Sequence, residues 1–227
     1  NSSSKLLRAW SMSGPEVPVF AFLQGEIVSA EVAACDYKRI GEGDTGPNTG
    51  GVGSYTPPEF WTPELAEQVR TEILEPIAKA LVAEDSSYSG ILYAGLMITD
   101  NGPRVIEFNC RFGDPETQVM VTRLMSDLLP ALIAARDGVL DNFDLRWYDE
   151  AALVVVMAAN GYPGDYDKGT EIKGLADAGA IEAMSGGGGR PALLSALQEF
   201  SPESVASVNS PQYIGMPDSF RGERAED

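Results

Sequence analysis

The stretch GILYAGLMITDNGPRVIEFN, residues 90 to 109, constrains the fold more than any other. Two runs rich in Ile, Leu, Val, Tyr and Phe flank Asp100-Asn101-Gly102, and a turn-forming triplet between such runs predicts an antiparallel strand pair. A second pair is expected in VPVFAFLQGEIVSAEVAA, turning near Gln24-Gly25. Thr62 followed by Pro63 predicts a helix start, because Thr can cap the first free N–H groups and Pro lacks one. Leu65, Val69, Ile73 and Ile77 then recur every four residues as one apolar stripe, and Pro76 should bend or divide that helix. Helical patterning returns from Thr117 to Arg136, with Pro130 as a second bend, and AALVVVMAA at 151 to 159 reads as the most apolar strand. Strands with hairpin-like neighbours beside helices predict an α+β fold with a mainly antiparallel sheet and flanking helices.

The strand ending at Asn109 carries an unusual terminus, EFNCRFGDPE. Side chains alternate along a strand, so Glu107 and Asn109 share one face while Ile106 and Phe108 are expected to turn into a core. Two oxygen donors side by side suit a hard cation such as Mg²⁺ that keeps waters and substrate phosphates. Arg111 continues that face if the strand persists, and its fork suits a phosphate or carboxylate. Gly113 lets the chain turn before Asp114 and Glu116. A solvated polar turn accounts for the same residues, and the local pattern leaves both readings open.

Residues 41 to 58, GEGDTGPNTGGVGSYTPP, hold so much Gly and Pro that a long loop is expected, with N–H groups free to meet an anion. The stretch matches neither the P-loop nor the dinucleotide-binding glycine pattern. Asp36, Lys38 and Arg39 precede it. Cys110 has no His or Asn to activate it and is expected to be a small packed residue.

Sixteen basic against 34 acidic residues give a net charge of −18, with no basic cluster, which argues against nucleic-acid and anionic-membrane partners. A phosphorylated metabolite remains compatible, because a divalent ion reverses the local sign. No histidine is present and the two cysteines have no zinc spacing, so zinc sites and histidine bases are excluded. No segment of transmembrane length and no apolar leader core appear, and a cytoplasmic protein is expected.

Together, DYKRIGEGDTGPNTGGVGSY, GILYAGLMIT and RVIEFNCRFGDPETQV resemble phosphoribosylamine–glycine ligases, the glycinamide ribonucleotide synthetases of the ATP-grasp superfamily. The likeness runs from about Ser13 to Ala183. It implies a partial ATP-grasp domain: residues 1–12 as a terminus outside the family pattern, 13–184 as the metal- and substrate-binding portion, and 185–227 as a linker-like tail. It also implies ATP-dependent joining of glycine to 5-phosphoribosylamine through glycyl phosphate, with Mg²⁺ or Mn²⁺ and with ATP as co-substrate. Another ATP-grasp carboxylate–amine ligase, or a catalytically incomplete nucleotide- and metal-binding module, is the alternative. By resemblance, Glu107 and Asn109 are the metal and nucleotide ligands and Arg111 stands near the transferring phosphoryl group. Asp36, Lys38, Asn48, Thr49, Gly50, Gly51, Asp114, Pro115 and Glu116 line the sugar-phosphate and glycine side. Tyr37 stands where the family commonly has His, and Val52 where Met is common. The family's N-terminal half, with its glycine-rich flap and adenosine-binding hinge, has no counterpart here, which implies a complementary chain as partner and no turnover by this chain alone.

Overall fold

A computed structural model describes residues 12–171, 173 and 174. The expected domain boundary near Ser185 and the 185–227 tail lie outside these residues, as does nearly all of 1–12.

The main sheet is antiparallel and runs β2-β1-β6-β7, with β3 also pairing β1. Its strands are β1 (Glu16–Gln24), β2 (Ile27–Val28), β3 (Val32–Ala33), β6 (Ser89–Thr99) and β7 (Gly102–Asn109). The hairpin at Asp100-Asn101 closes on a Thr99↔Gly102 pair, as the turn chemistry required. β1 is central, and both faces of it are covered: every residue from Val17 to Leu23 is buried. Val17, Val19, Ala21 and Leu23 join Val69, Leu74 and Ala78 in one core layer, while Phe20 and Phe22 join Val119, Met120, Ala131 and Ala135 in the other. The strand's period of two thus distributes one sequence between two cores.

The first layer rests on α1 (Pro63–Val69) and α2 (Glu75–Ala83). Thr62 caps α1, its hydroxyl accepting from the Leu65 N–H at 3.2 Å. Pro76 divides the helix as expected: one π-helical turn, Arg70–Leu74, joins the halves, and the Glu75 N–H donates five residues back to Arg70. Wider hydrogen-bond spacing is one way to absorb a residue that has no N–H and whose ring crowds the preceding turn.

The second layer rests on α3 (Glu116–Arg123) and α4 (Leu128–Asp137). Their separation corrects the expected continuous helix bent at Pro130. The break falls at 124–127, where Leu124 bridges to Trp147 and the Met125 N–H donates to Arg146 O. Pro130 lies in the first turn of α4, where N–H groups have no intrahelical acceptor and proline costs little.

The largest correction concerns residues 41 to 58. Instead of a loop, Thr45–Thr56 forms the twelve-residue strand β5, paired with β4 (Cys35–Gly41) and β8 (Ala152–Val155) in a second antiparallel sheet. β8 covers only four of the nine residues expected for that strand. Glycine composition argued against β5, but tertiary pairing overrides propensity: two register shifts against β4 absorb the irregularity, and Gly46 and Gly51 take positive φ. Among the described residues, no helix is long and apolar enough to cross a membrane.

Candidate functional site

The site forms where β7, β4 and the turn before α3 meet over the β6 residue Tyr93. β7 is the edge of its sheet, and Tyr93 pairs with Asn109 while Gly95 pairs with Glu107. Glu107 and Asn109 therefore share the Tyr93 face, and the Asn109 amide donates to the Glu107 carboxylate at 3.0 Å. Arg111 lies beyond the strand end yet stays on this side, its guanidinium carbon 6.0 Å from the Tyr93 ring centroid.

The expectation that Ile106 and Phe108 turn into a core is corrected. A register shift near Gly95 makes β7 irregular there, and Val105, Ile106 and Phe108 are 38%, 44% and 38% exposed. An edge strand packs through one neighbour only, so its apolar residues lack the second layer that buries those of β1. Cys110, just past that strand, is exposed instead of packed; Cys35 is buried, and burial pushes its thiol up to about 12.

From β4, Lys38 Nζ lies 3.1 Å from Glu16 and 3.8 Å from Asp36. Burial would lower the Lys38 pKa, but Asp36 and Glu16 outweigh it and the net shift is upward. Lys38, Tyr93, Glu107 and Glu16 line one shallow, open cleft. Glu116 is 3% exposed, and burial, aided by Asp36 and Asp114, raises its carboxyl to about 7 against the pull of its own N–H and of Lys38. Burial raises Asp36 as well, with Lys38 opposing. Tyr93 is raised strongly by burial and then by Glu116, Asp36 and Glu107.

Gly51 couples the glycine strand to this cluster. At φ 117° its backbone approaches Pro115 so closely that a Cβ would lie 2.4 Å from Pro115 Cδ. Asp114 accepts from Gln118 Nε2 at 2.8 Å. The N–H groups expected to await an anion already have acceptors: Gly50 donates to the Tyr162 hydroxyl at 3.1 Å and Gly51 to Thr49 Oγ1 at 3.0 Å. Thr49 in turn donates to Lys38 O at 2.7 Å. Asn48 is exposed and pairs with Arg39 on the ribbon. Tyr37 and Val52, the family departures, are packing residues: Tyr37 stacks on Tyr55 at 5.9 Å and Val52 is buried.

Sequence reasoning missed Glu16, Tyr93 and Tyr162. Each lies in a segment whose local pattern reads as strand or turn, and only the pairing of β1 with β6 and the return of residue 162 to β5 reveal them.

Residues 2–117 match the family model for the phosphoribosylglycinamide synthetase ATP-grasp (A) domain. This chain belongs to that family. The match begins at residue 2, inside the stretch set aside as a terminus. The chain is 48% identical over 184 residues to a phosphoribosylamine–glycine ligase of Rhizobium meliloti, covering 78% of this chain and 44% of the relative. To the Vigna unguiculata ligase it is 48% identical over 172 residues, covering 75% and 55%. The crystal structure of the Thermotoga maritima ligase aligns with a TM-score of 0.64 at 34% identity, over 71% of this chain and 40% of that one. The chain thus spans about half the length of these synthetase relatives or less.

Proposed function

We propose that these residues form the metal- and amine-substrate-binding module of an ATP-grasp ligase joining glycine to 5-phosphoribosylamine. The observation that carries it is the Glu107–Asn109 pair on the face of β7 that also holds Tyr93, Lys38 and Arg111. Among the described residues no group of three or more His, Cys, Asp or Glu side chains could hold a metal. Two oxygen ligands fit Mg²⁺ or Mn²⁺ whose remaining positions are filled by water and ATP phosphates, and they do not fit zinc. When bound, such an ion would offset charge on the phosphates as a phosphoryl group passes to the glycine carboxylate.

The chain's own residues then divide the work. Arg111, held over Tyr93, orients a phosphoryl or carboxylate group with its planar fork. Lys38 offers a cation to the sugar phosphate from beside Asp36. The Gly51–Pro115 contact holds the Asp114–Glu116 turn against β5, so the sugar and glycine sides keep a fixed separation. The activity for which the relatives are named supports the ligase assignment, and the Glu107–Asn109 geometry supports the metal role.

Mn²⁺ binding tests the module. Paramagnetic resonance titration in the presence of ATP should show Mn²⁺ bound by the chain and at least tenfold weaker binding in Glu107→Ala. Identical titrations for the two proteins would overturn the assignment of metal to β7.

A further inference from the structure

We propose that Tyr162 is a positioning residue for the sugar-phosphate side of the site, its hydroxyl holding the bulge of β5 that faces Lys38; the role rests on the ligase reading above. Along the β4–β5 ladder Arg39 pairs with Asn48 and Tyr37 with Gly53, so Thr49, Gly50, Gly51 and Val52 stand opposite Lys38 alone. β8 gives this stretch no ladder pair, because its register with β5 begins at Gly53. Extra residues on one strand leave backbone groups unpaired, and bulges beside functional sites re-aim side chains. Thr49 closes the bulge from within: its hydroxyl donates to Lys38 O at 2.7 Å and accepts from the Gly51 N–H at 3.0 Å. Among the described residues, the hydrogen bond that reaches residues 49–51 from outside the β4–β5 ribbon is that of the Gly50 N–H to the Tyr162 hydroxyl, at 3.1 Å.

Tyr162 is itself seated. Its N–H donates to Ala159 O at 3.2 Å, the Gly164 N–H donates to Gly161 O at 2.8 Å, and its ring meets Tyr166 edge-on at 5.9 Å. Gly161 takes φ 99°, and a Cβ there would fall 2.5 Å from Asp165 O, so the turn that presents the ring needs glycine. The linkage therefore runs from Tyr162 to Gly50, then through Gly51 and Thr49 to the Lys38 backbone. At its far end the Lys38 side chain, 49% exposed, lines the open cleft, where an anion from solvent can reach it. Lysine holds an anion as a point charge on a flexible stem, so a fixed backbone at the root of that stem lowers the ordering cost of binding. Gly50 is exposed, and water can replace the hydroxyl on its N–H. Loss of the hydroxyl should thus cost the fold little while releasing the bulge.

The test uses the whole chain, with ribose 5-phosphate as the probe. In nitrogen-15 spectra of the parent, the sugar phosphate should shift the amide signals of Lys38 and of residues 49–51. Tyr162→Phe keeps the ring and should bind it about fivefold more weakly, the size of one net hydrogen bond, with faster hydrogen exchange at Gly50 and Gly51. Its urea midpoint and its Mn²⁺ binding with ATP should match the parent's, and Tyr166→Phe should match the parent in every one of these measurements. Unchanged sugar-phosphate affinity in Tyr162→Phe, or a loss shared equally by Mn²⁺ binding and the urea midpoint, would overturn the positioning role and leave the ligase reading standing. Absence of any shift at Lys38 or at residues 49–51 in the parent would remove the sugar-phosphate assignment, and this proposal with it.

Discussion

At the residue scale, Glu116 carries the clearest thermodynamic signature. Its folded pKa, about 7, lies above the ordinary 4.5, so the native state holds a proton that the unfolded chain has released between these values. Stability from this group is therefore fully present below about pH 4.5 and is lost as pH rises through about 7. The loss is at most about 3.5 kcal/mol, since one pKa unit is about 1.4 kcal/mol. Glu116→Gln keeps the shape without the charge. Urea unfolding should find it more stable than the parent by about 1–3 kcal/mol at pH 8 and nearly equal at pH 4.5. A difference of the same size at both values would show that the carboxyl does not titrate in the interior.

At the scale of elements, β5 is the unexpected piece. Its glycines are tolerated for separate reasons, and Gly51 is the one that the site depends on. At φ 117° with Pro115 Cδ in the way, Gly51→Ala should cost about 2–3 kcal/mol and loosen the 113–116 turn. Gly43 offers the control: its φ of 67° is also left-handed, but nothing lies within 4 Å of its Cβ position, so Gly43→Ala should cost about 1 kcal/mol. Chemical denaturation of both variants measures the difference. Equal losses would mean that the Pro115 contact does not hold β5 against the turn. β7 makes the opposite point, because it pairs with β6 along its length, with one register shift near Gly95, while Val105, Ile106 and Phe108 stay exposed.

At the scale of the whole molecule, the Glu107–Asn109 pair, the Lys38 cation and the buried Glu116 carboxyl come from β7, β4 and the start of α3, which converge on Tyr93. The 227 residues cover 44% of the Rhizobium meliloti relative. In-line phosphoryl transfer requires groups clamped on both sides of the phosphate, and small misplacement is costly in rate. Assayed as these 227 residues, the chain should release no ADP above background when glycine and 5-phosphoribosylamine are both supplied with ATP. Release that needs both substrates and disappears in Glu107→Ala would show that the module is catalytically sufficient.

Read alone, the sequence determined those features whose physics is local. The Asp100-Asn101-Gly102 hairpin, the Thr62 cap, the Pro76 interruption and the shared face of Glu107 and Asn109 follow from turn chemistry, a missing N–H and a period of two. Lys38, Glu107, Arg111 and Glu116, singled out from the motifs around DYKR and FGDPE, lie around Tyr93. Tertiary structure decided what depends on neighbours distant in sequence. Ile106 and Phe108 alternate as core residues would, yet β7 is an edge and they remain exposed. Thr45–Thr56 has the composition of a loop, yet pairing with β4, joined by β8 over Gly53 to Thr56, makes it a strand. Glu116 reads as one more acid in a polar turn. Only the packing of that turn beneath Gly113 and beside Asp36 removes its water, and desolvation is what turns an ordinary carboxyl into one that exchanges its proton near neutral pH.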